Sequence, residues 1–203
     1  MQTYEGAVQI STGATFSVAL TNRGRVFWWG RIGGRYPGGV TGDVELPGHQ
    51  HRAGEHADEE DALLDKFIHT SQSKTPIELE FLNTPRIKQI TCGSYFLLAT
   101  DGSDIWRVGL TPGSNSSEVS MSPSRVERTW DSDETIEHIC AGGHNAAAIT
   151  NTGRLLVFGD NLDFCLNTPT RNPLEMGSLK NENIVVKGAS IQDTHACVLF
   201  SMA

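Results

Sequence analysis

A short pattern recurs four times along the chain. Three copies read Ile10-Ser11-Thr12-Gly13-Ala14-Thr15-Phe16, Ile90-Thr91-Cys92-Gly93-Ser94-Tyr95-Phe96 and Ile139-Cys140-Ala141-Gly142-Gly143-His144-Asn145, each running into small and apolar residues. The fourth, from Ala189 through His195 to Leu199, has Gln192 where the others have glycine. The marked positions 13, 93, 142 and 192 are separated by 80, 49 and 50 residues, so the first interval alone is long. A period near fifty residues means one supersecondary unit copied along the chain, each copy burying its apolar face on its neighbours.

The first and third copies stay in register beyond the pattern. Thr21-Asn22-Arg23-Gly24-Arg25-Val26 matches Thr150-Asn151-Thr152-Gly153-Arg154-Leu155, and Trp29-Gly30 matches Phe158-Gly159. Each unit reads as strand, tight turn, strand: Phe16 to Thr21 and Arg25 to Trp29 are rich in β-branched and aromatic residues around a Gly-bearing turn. In the second copy the turn is Thr100-Asp101-Gly102, two residues nearer its glycine. The small residues beside Gly13, Gly93 and Gly142 predict sites where backbones approach closely and a larger side chain such as valine would unfold the domain.

These registers resemble the regulator-of-chromosome-condensation repeat family. Its unit opens with an aliphatic residue, two small ones and glycine, has a histidine three positions later, and continues through a Gly-bearing hairpin to an aromatic-Gly pair. Phe16, Phe96 and Asn145 occupy the histidine column here, and only the fourth copy keeps it, as His195. The family's closing element is worn, with Asn161 and Leu166 surviving after Gly159. The resemblance implies an all-β fold, a β-propeller of that type. Family members have seven blades, so four repeats imply a partial propeller of about three to four blades. On this reading residues 1–203 are one repeat domain with repeats at 7–34, 87–115, 136–167 and 184–203, and residues 35–80 are an insertion. The repeat glycines are Gly13, Gly24, Gly30, Gly93, Gly102, Gly142, Gly153 and Gly159.

The insertion opens with a Gly- and Pro-rich stretch. It then reads Asp58-Glu59-Glu60-Asp61-Ala62-Leu63-Leu64-Asp65-Lys66-Phe67-Ile68. Acidic residues first, with Leu64, Phe67 and Ile68 on one face, predict a short amphipathic helix that could dock on its own domain or contact a partner. Thr111 to Ser124, rich in Ser, Gly and Pro, reads as a disordered loop.

Composition narrows the function. A formal net charge of −8 and a pI near 5.3 argue against a broad phosphate-binding surface, so no nucleic-acid partner is expected. Arg23, Arg25, Arg31 and Arg35 read as solvated hairpin arginines. No stretch reaches the ~20 apolar residues of a membrane helix, and Met1 to Val8 lacks a signal-peptide core, so a cytoplasmic or nuclear chain is expected. Cys92, Cys140, Cys165 and Cys197 follow the repeats rather than a C-x-x-C framework, which predicts reduced core thiols. His49, His51 and His56 lie near Asp58, Glu59 and Glu60, but in a Gly-rich segment with nothing to fix a metal's geometry. His144 reads as a turn residue. No Gly-x-Ser-x-Gly elbow, phosphate-binding loop or His-Glu-x-x-His helix occurs, so no catalytic residue, cofactor or metal is assigned.

The sequence therefore predicts a non-catalytic protein–protein interaction module or scaffold, part of a larger regulatory protein, whose propeller is completed by another segment or chain. The alternative is a guanine-nucleotide exchange factor with a small GTPase as partner.

Overall fold

The structure, a computed structural model, describes residues 5–32, 72–80, 86–110, 119–159, 170–175, 184–191 and 196–202. These residues form fourteen strands: β1 Ala7–Thr12, β2 Phe16–Thr21, β3 Val26–Arg31, β4 Gln72–Leu79, β5 Gln89–Cys92, β6 Phe96–Thr100, β7 Ile105–Leu110, β8 Val119–Arg125, β9 Ile136–Gly142, β10 Asn145–Thr150, β11 Leu155–Gly159, β12 Thr170–Glu175, β13 Ile184–Ile191 and β14 Ala196–Met202. They group into three four-stranded sheets, each in sequence order, followed by the two-stranded sheet β13–β14. Every neighbouring pair is antiparallel. Each sheet is a meander, and we call the sheets blades one to four.

The glycine-bearing turns set the hairpin register. Between β2 and β3 the Gly24 N–H donates to the Thr21 carbonyl at 2.9 Å, and Thr21 N–H donates to the Arg25 carbonyl at 2.9 Å. Gly153, Thr150 and Arg154 repeat this between β10 and β11, at 2.9 and 3.0 Å. Gly24 and Gly153 have φ of 79° and 82°, which side-chain-bearing residues rarely adopt. The shorter turn in blade two uses side chains instead. Asp101 Oδ1 accepts from the Ser103 and Asp104 N–H groups at 2.7 and 2.9 Å, and Thr100 Oγ1 accepts from Gly102 N–H at 3.0 Å.

The core lies between blades. Val18, Leu20, Val26 and Trp28 of blade one meet Ile90, Leu97, Ala99, Trp106 and Val108 of blade two. From the other face of blade two, Phe96, Leu98 and Ile105 meet Ile139, Ala146, Ala148, Leu156 and Phe158 of blade three. Blade three's reverse side, with Ala147, Ile149, Leu155 and Val157, covers Val186 and Ile191 of blade four. Alternate residues of one strand thus serve two different seams, and every residue of β6 and of β10 is buried.

Two segments differ from the sequence reading. Gln72–Leu79, inside the expected insertion, is a strand, and so is Val119–Arg125, most of whose residues lie in the expected disordered loop. Together with β12 they form the outer edges of blades one to three. Each contains a proline, Pro76, Pro123 or Pro173, and each pairing register shifts beside it. The residue after each proline pairs with the residue two before the blade's glycine: Ile77 with Trp28, Ser124 with Arg107, Leu174 with Val157. Proline has no N–H to offer a further strand, so it suits a bulged outer edge. The predicted helix with Leu64, Phe67 and Ile68, the residues Asn161, Cys165 and Leu166, and the cluster His49, His51 and His56 lie outside the described residues.

Candidate functional site

The turns between the first and second strands of the blades form a continuous rim. Ala14 N–H donates to the Ser94 carbonyl at 2.9 Å, and Ser94 N–H donates to the Gly143 carbonyl at 2.7 Å, so backbone bonds tie three blades together. Thr15, Tyr95 and His144 hold equivalent places on this rim, and the Tyr95 and His144 rings pack with centroids 5.5 Å apart.

The repeat glycines sit where the rim leaves no room for a side chain. A Cβ on Gly13 would lie 2.0 Å from the Phe16 ring, and one on Gly93 2.2 Å from the Phe96 ring. Phe16 and Phe96, in the histidine column, therefore roof the glycines three positions earlier, and at Gly93 the Gly143 carbonyl of the next blade also stands 2.7 Å from the Cβ position. Gly30 and Gly159 cross behind the rim. Gly30 has φ of 98°, and a Cβ there would come within 2.5 Å of the Thr15 carbonyl. The equivalent in blade two is Gly109, with φ of 99° and the Tyr95 carbonyl 2.5 Å from the Cβ position. Sequence reading missed Gly109 because valine, not an aromatic residue, precedes it. Gly24, Gly102 and Gly153 sit in the hairpin turns, and Gly142 ends β9, paired with Asn145.

Side-chain amides clamp adjacent blades. Gln9 Nε2 donates to the Ile90 carbonyl at 2.7 Å while Ile90 N–H donates to Gln9 Oε1 at 2.9 Å. Gln89 does the same one blade on, donating to the Glu137 carbonyl at 2.5 Å and accepting from Ile139 N–H at 3.3 Å. Gln9 and Gln89 each precede the repeat's isoleucine, a signal present in the sequence but outside the pattern sought there. Between blades one and two, Cys92 N–H also donates to Ser11 Oγ at 3.0 Å.

An acidic clasp recurs at the opposite end. Glu134 accepts from Thr150 Oγ1 at 3.1 Å, from Thr152 Oγ1, from Asp131 N–H at 3.0 Å and from Arg154 at 2.5 Å. Burial pushes the Glu134 carboxyl up, but these donors outweigh it and hold the group below the usual carboxylate range. Glu5 and Arg25 occupy the same repeat positions in blade one and pair at 3.0 Å, with Arg25 also bonded to Glu78 at 2.7 Å. The Glu134 side chain is 5% exposed and that of Glu5 20%, so the third-blade clasp is the better shielded.

Burial raises the thiol of Cys92 to about 12 and that of Cys140 to about 11, so neither is a thiolate at neutral pH. Cys197, expected in the core, is exposed. Among the described residues no three His, Cys, Asp or Glu side chains are grouped to hold a metal ion, and no helix is long and apolar enough to cross a membrane.

Comparison with known proteins agrees with this architecture. No family model matches the chain. It is 28% identical over 206 residues to the RCC1 domain-containing protein RUG3, mitochondrial, of Arabidopsis thaliana, covering 95% of this chain and 40% of that protein. It is 27% identical over 93 residues to the human X-linked retinitis pigmentosa GTPase regulator, covering 42% of this chain and 9% of that one. Among solved structures, human WBSCR16 superposes with a TM-score of 0.66 at 18% identity, over 97% of this chain and 45% of its own. Prp20p of Saccharomyces cerevisiae superposes at 0.61 and 18% identity, over 98% of this chain and 44% of its own. The repeats are of the regulator-of-chromosome-condensation type, and the fold is part of a β-propeller. The chain spans less than half the length of these relatives.

Proposed function

We propose that this chain is a protein-interaction module that acts through its rim rather than through chemistry of its own. The observation that supports this most directly is the rim itself: three successive turns joined by the Ala14–Ser94 and Ser94–Gly143 backbone bonds, presenting Thr15, Tyr95 and His144 in a row. Loops on a rigid scaffold are where binding residues gather, and a preordered row loses little entropy on docking. Relatives fit this reading. Prp20p is described by its binding to Gsp1p and histones, and it is also known in complex with Kap60. By that analogy the partner is a protein. Histones are basic, so they would complement a chain of net charge −8 without any nucleic-acid contact.

A second reading, nucleotide exchange on a small GTPase, is favoured by the name of the human relative, a GTPase regulator. Exchange would be protein–protein chemistry, a wedge that loosens nucleotide without a catalytic side chain. The Arabidopsis relative is named as mitochondrial, so the nuclear or cytoplasmic expectation gains no support from it.

Affinity capture with the wild-type chain and a Tyr95→Arg/His144→Glu double variant tests the module. Partners should be lost from the variant while thermal unfolding is unchanged. Identical partners on both proteins would remove the rim from consideration. Release of fluorescent GDP from a panel of small GTPases distinguishes the readings, since a pure scaffold leaves the rate unaltered. Deleting residues 40–68 tests whether the sequence-predicted contact helix recruits a partner.

A further inference from the structure

The outer strands of the three four-stranded blades share one device. In blade two the ladder pairs Gly109 with Ser120 and Arg107 with Ser124, which leaves Met121, Ser122 and Pro123 opposite Val108 alone. Blade one repeats this with Lys74, Thr75 and Pro76 opposite Trp29, and blade three with Arg171, Asn172 and Pro173 opposite Phe158. A hydroxyl-bearing residue stands three places before each proline: Ser73, Ser120 or Thr170. Ser120 Oγ donates to the Ser122 carbonyl at 3.1 Å, and Ser73 Oγ donates to the Thr75 carbonyl at 2.5 Å. These bulges are held through the backbone, so the side chain just before the proline is not part of their support.

At that position the three bulges differ. Blade two reads Ser122-Pro123-Ser124-Arg125, blade one Thr75-Pro76-Ile77-Glu78 and blade three Asn172-Pro173-Leu174-Glu175. Of the three, only blade two joins a hydroxyl, a following proline and a cation three residues on. Ser122 is exposed, while Met121 beside it packs inward against the seam of blades one and two. β8 is the last strand of its sheet. The Arg125 side chain is 58% exposed and pairs with Asp104 at 2.5 Å.

We propose that Ser122 is a phosphorylation site for a proline-directed serine/threonine kinase that prefers a basic residue three positions after the acceptor. Such a kinase takes its substrate as an extended segment and accepts proline next to the acceptor, a position from which it needs no N–H. Charge further along the segment selects among substrates. β8 presents these features already extended, in a stretch without ladder partners and on the outer edge of the blade. In the reaction Ser122 Oγ attacks the γ-phosphorus of Mg-ATP, the bond to the β–γ bridging oxygen breaks, ADP leaves, and the hydroxyl proton passes to the kinase's catalytic aspartate. The product carries about −1.5 to −2 charges at pH 7. It stands on the outer strand of blade two, whereas the rim row of Thr15, Tyr95 and His144 lies at the turns between the first two strands.

Incubating the folded full chain with Mg-ATP and a cyclin-dependent kinase–cyclin complex tests the site, with phosphopeptide mass spectrometry to read each position and circular dichroism to show that each variant is folded. Ser122 should be modified in the folded chain, and Thr75, which has Glu78 three residues on, should lag it by about tenfold or more. Thr168-Pro169-Thr170-Arg171 carries the same pattern, but Thr168 lies outside the described residues, so Ser122→Ala supplies the background. Arg125→Glu should slow Ser122 by about tenfold or more. Asp104→Asn, which removes the ion pair but keeps the cation, should leave the rate at least as high as in the wild type. No phosphate on Ser122 of the folded chain overturns the proposal, and so does modification that appears only once the chain is unfolded or a rate indifferent to Arg125→Glu. The site stands apart from the rim reading, because the Tyr95→Arg/His144→Glu variant should be modified like the wild type.

Discussion

On one side of blade one, Val18, Leu20, Val26 and Trp28 are 0–6% exposed; on the other, Val8 and Ile10 are more than 60% exposed. The exposed pair lies on β1 and the buried set on β2 and β3 of the same sheet, yet the sequence pattern around Ile10 is as apolar as that around Ile90, which is buried. Burial in this protein therefore follows from having a neighbour, not from being in a well-formed strand. In a stacked repeat each blade is stabilised mainly by the interfaces it shares, so blades two and three should carry most of the stability and the end faces little of it.

The largest test of that contrast is Phe96→Ala against Ile10→Ser. Phe96 is 1% exposed and roofs Gly93, so its truncation should cost about 3–5 kcal/mol in denaturant unfolding. Ile10→Ser, at an exposed position, should stay within about 0.5 kcal/mol. Comparable losses at both sites would break the comparison. Gly109→Ala against Gly188→Ala asks the same of the backbone. The first forces a side chain into a left-handed conformation against a carbonyl and should cost more than about 2 kcal/mol, whereas the second should be neutral or slightly stabilising.

The acidic clasps sharpen the contrast at smaller amplitude. Glu134→Gln should cost about 1–3 kcal/mol, because buried donors lose a charged acceptor, and the equivalent Glu5→Gln should cost less. The Glu134 carboxyl is held below its unfolded value, so its contribution is present at neutral pH. It is lost as pH falls from the unfolded carboxylate range, about 4.3, through the depressed folded value. Unfolding measured against pH should show this acid loss in the wild type and a shallower one in Glu134→Gln. The smallest effect expected is Gln89→Ala, about 1 kcal/mol, from the amide clamp between blades two and three.

The repeat pattern, its glycines and the strand–turn–strand unit were legible because they are local: a glycine at positive φ and an alternating apolar strand are encoded within a few residues. The outer strands were not. Pro76 and Pro123 look like breaks when a strand is sought by continuous periodicity, and only the pairing of Ile77 with Trp28 and of Ser124 with Arg107 shows that they fill equivalent places. The clamps of Gln9 and Gln89 were hidden for a related reason, since a glutamine in a strand signals nothing until the next blade's backbone stands beside it. The rim was half legible. Gly13, Gly93 and Gly142 located its turns, but the hydrogen bonds that make it continuous join residues 80 and 49 positions apart.

By itself the sequence determined that this chain is built from a repeated antiparallel unit and where its hairpins turn. Only the tertiary structure decided which apolar residues are covered, which polar side chains bridge blades, and which faces are left open at the ends. The physical reason is range: turn geometry and strand preference are fixed by adjacent residues, while burial and bridging hydrogen bonds depend on surfaces that the chain brings together across whole repeats.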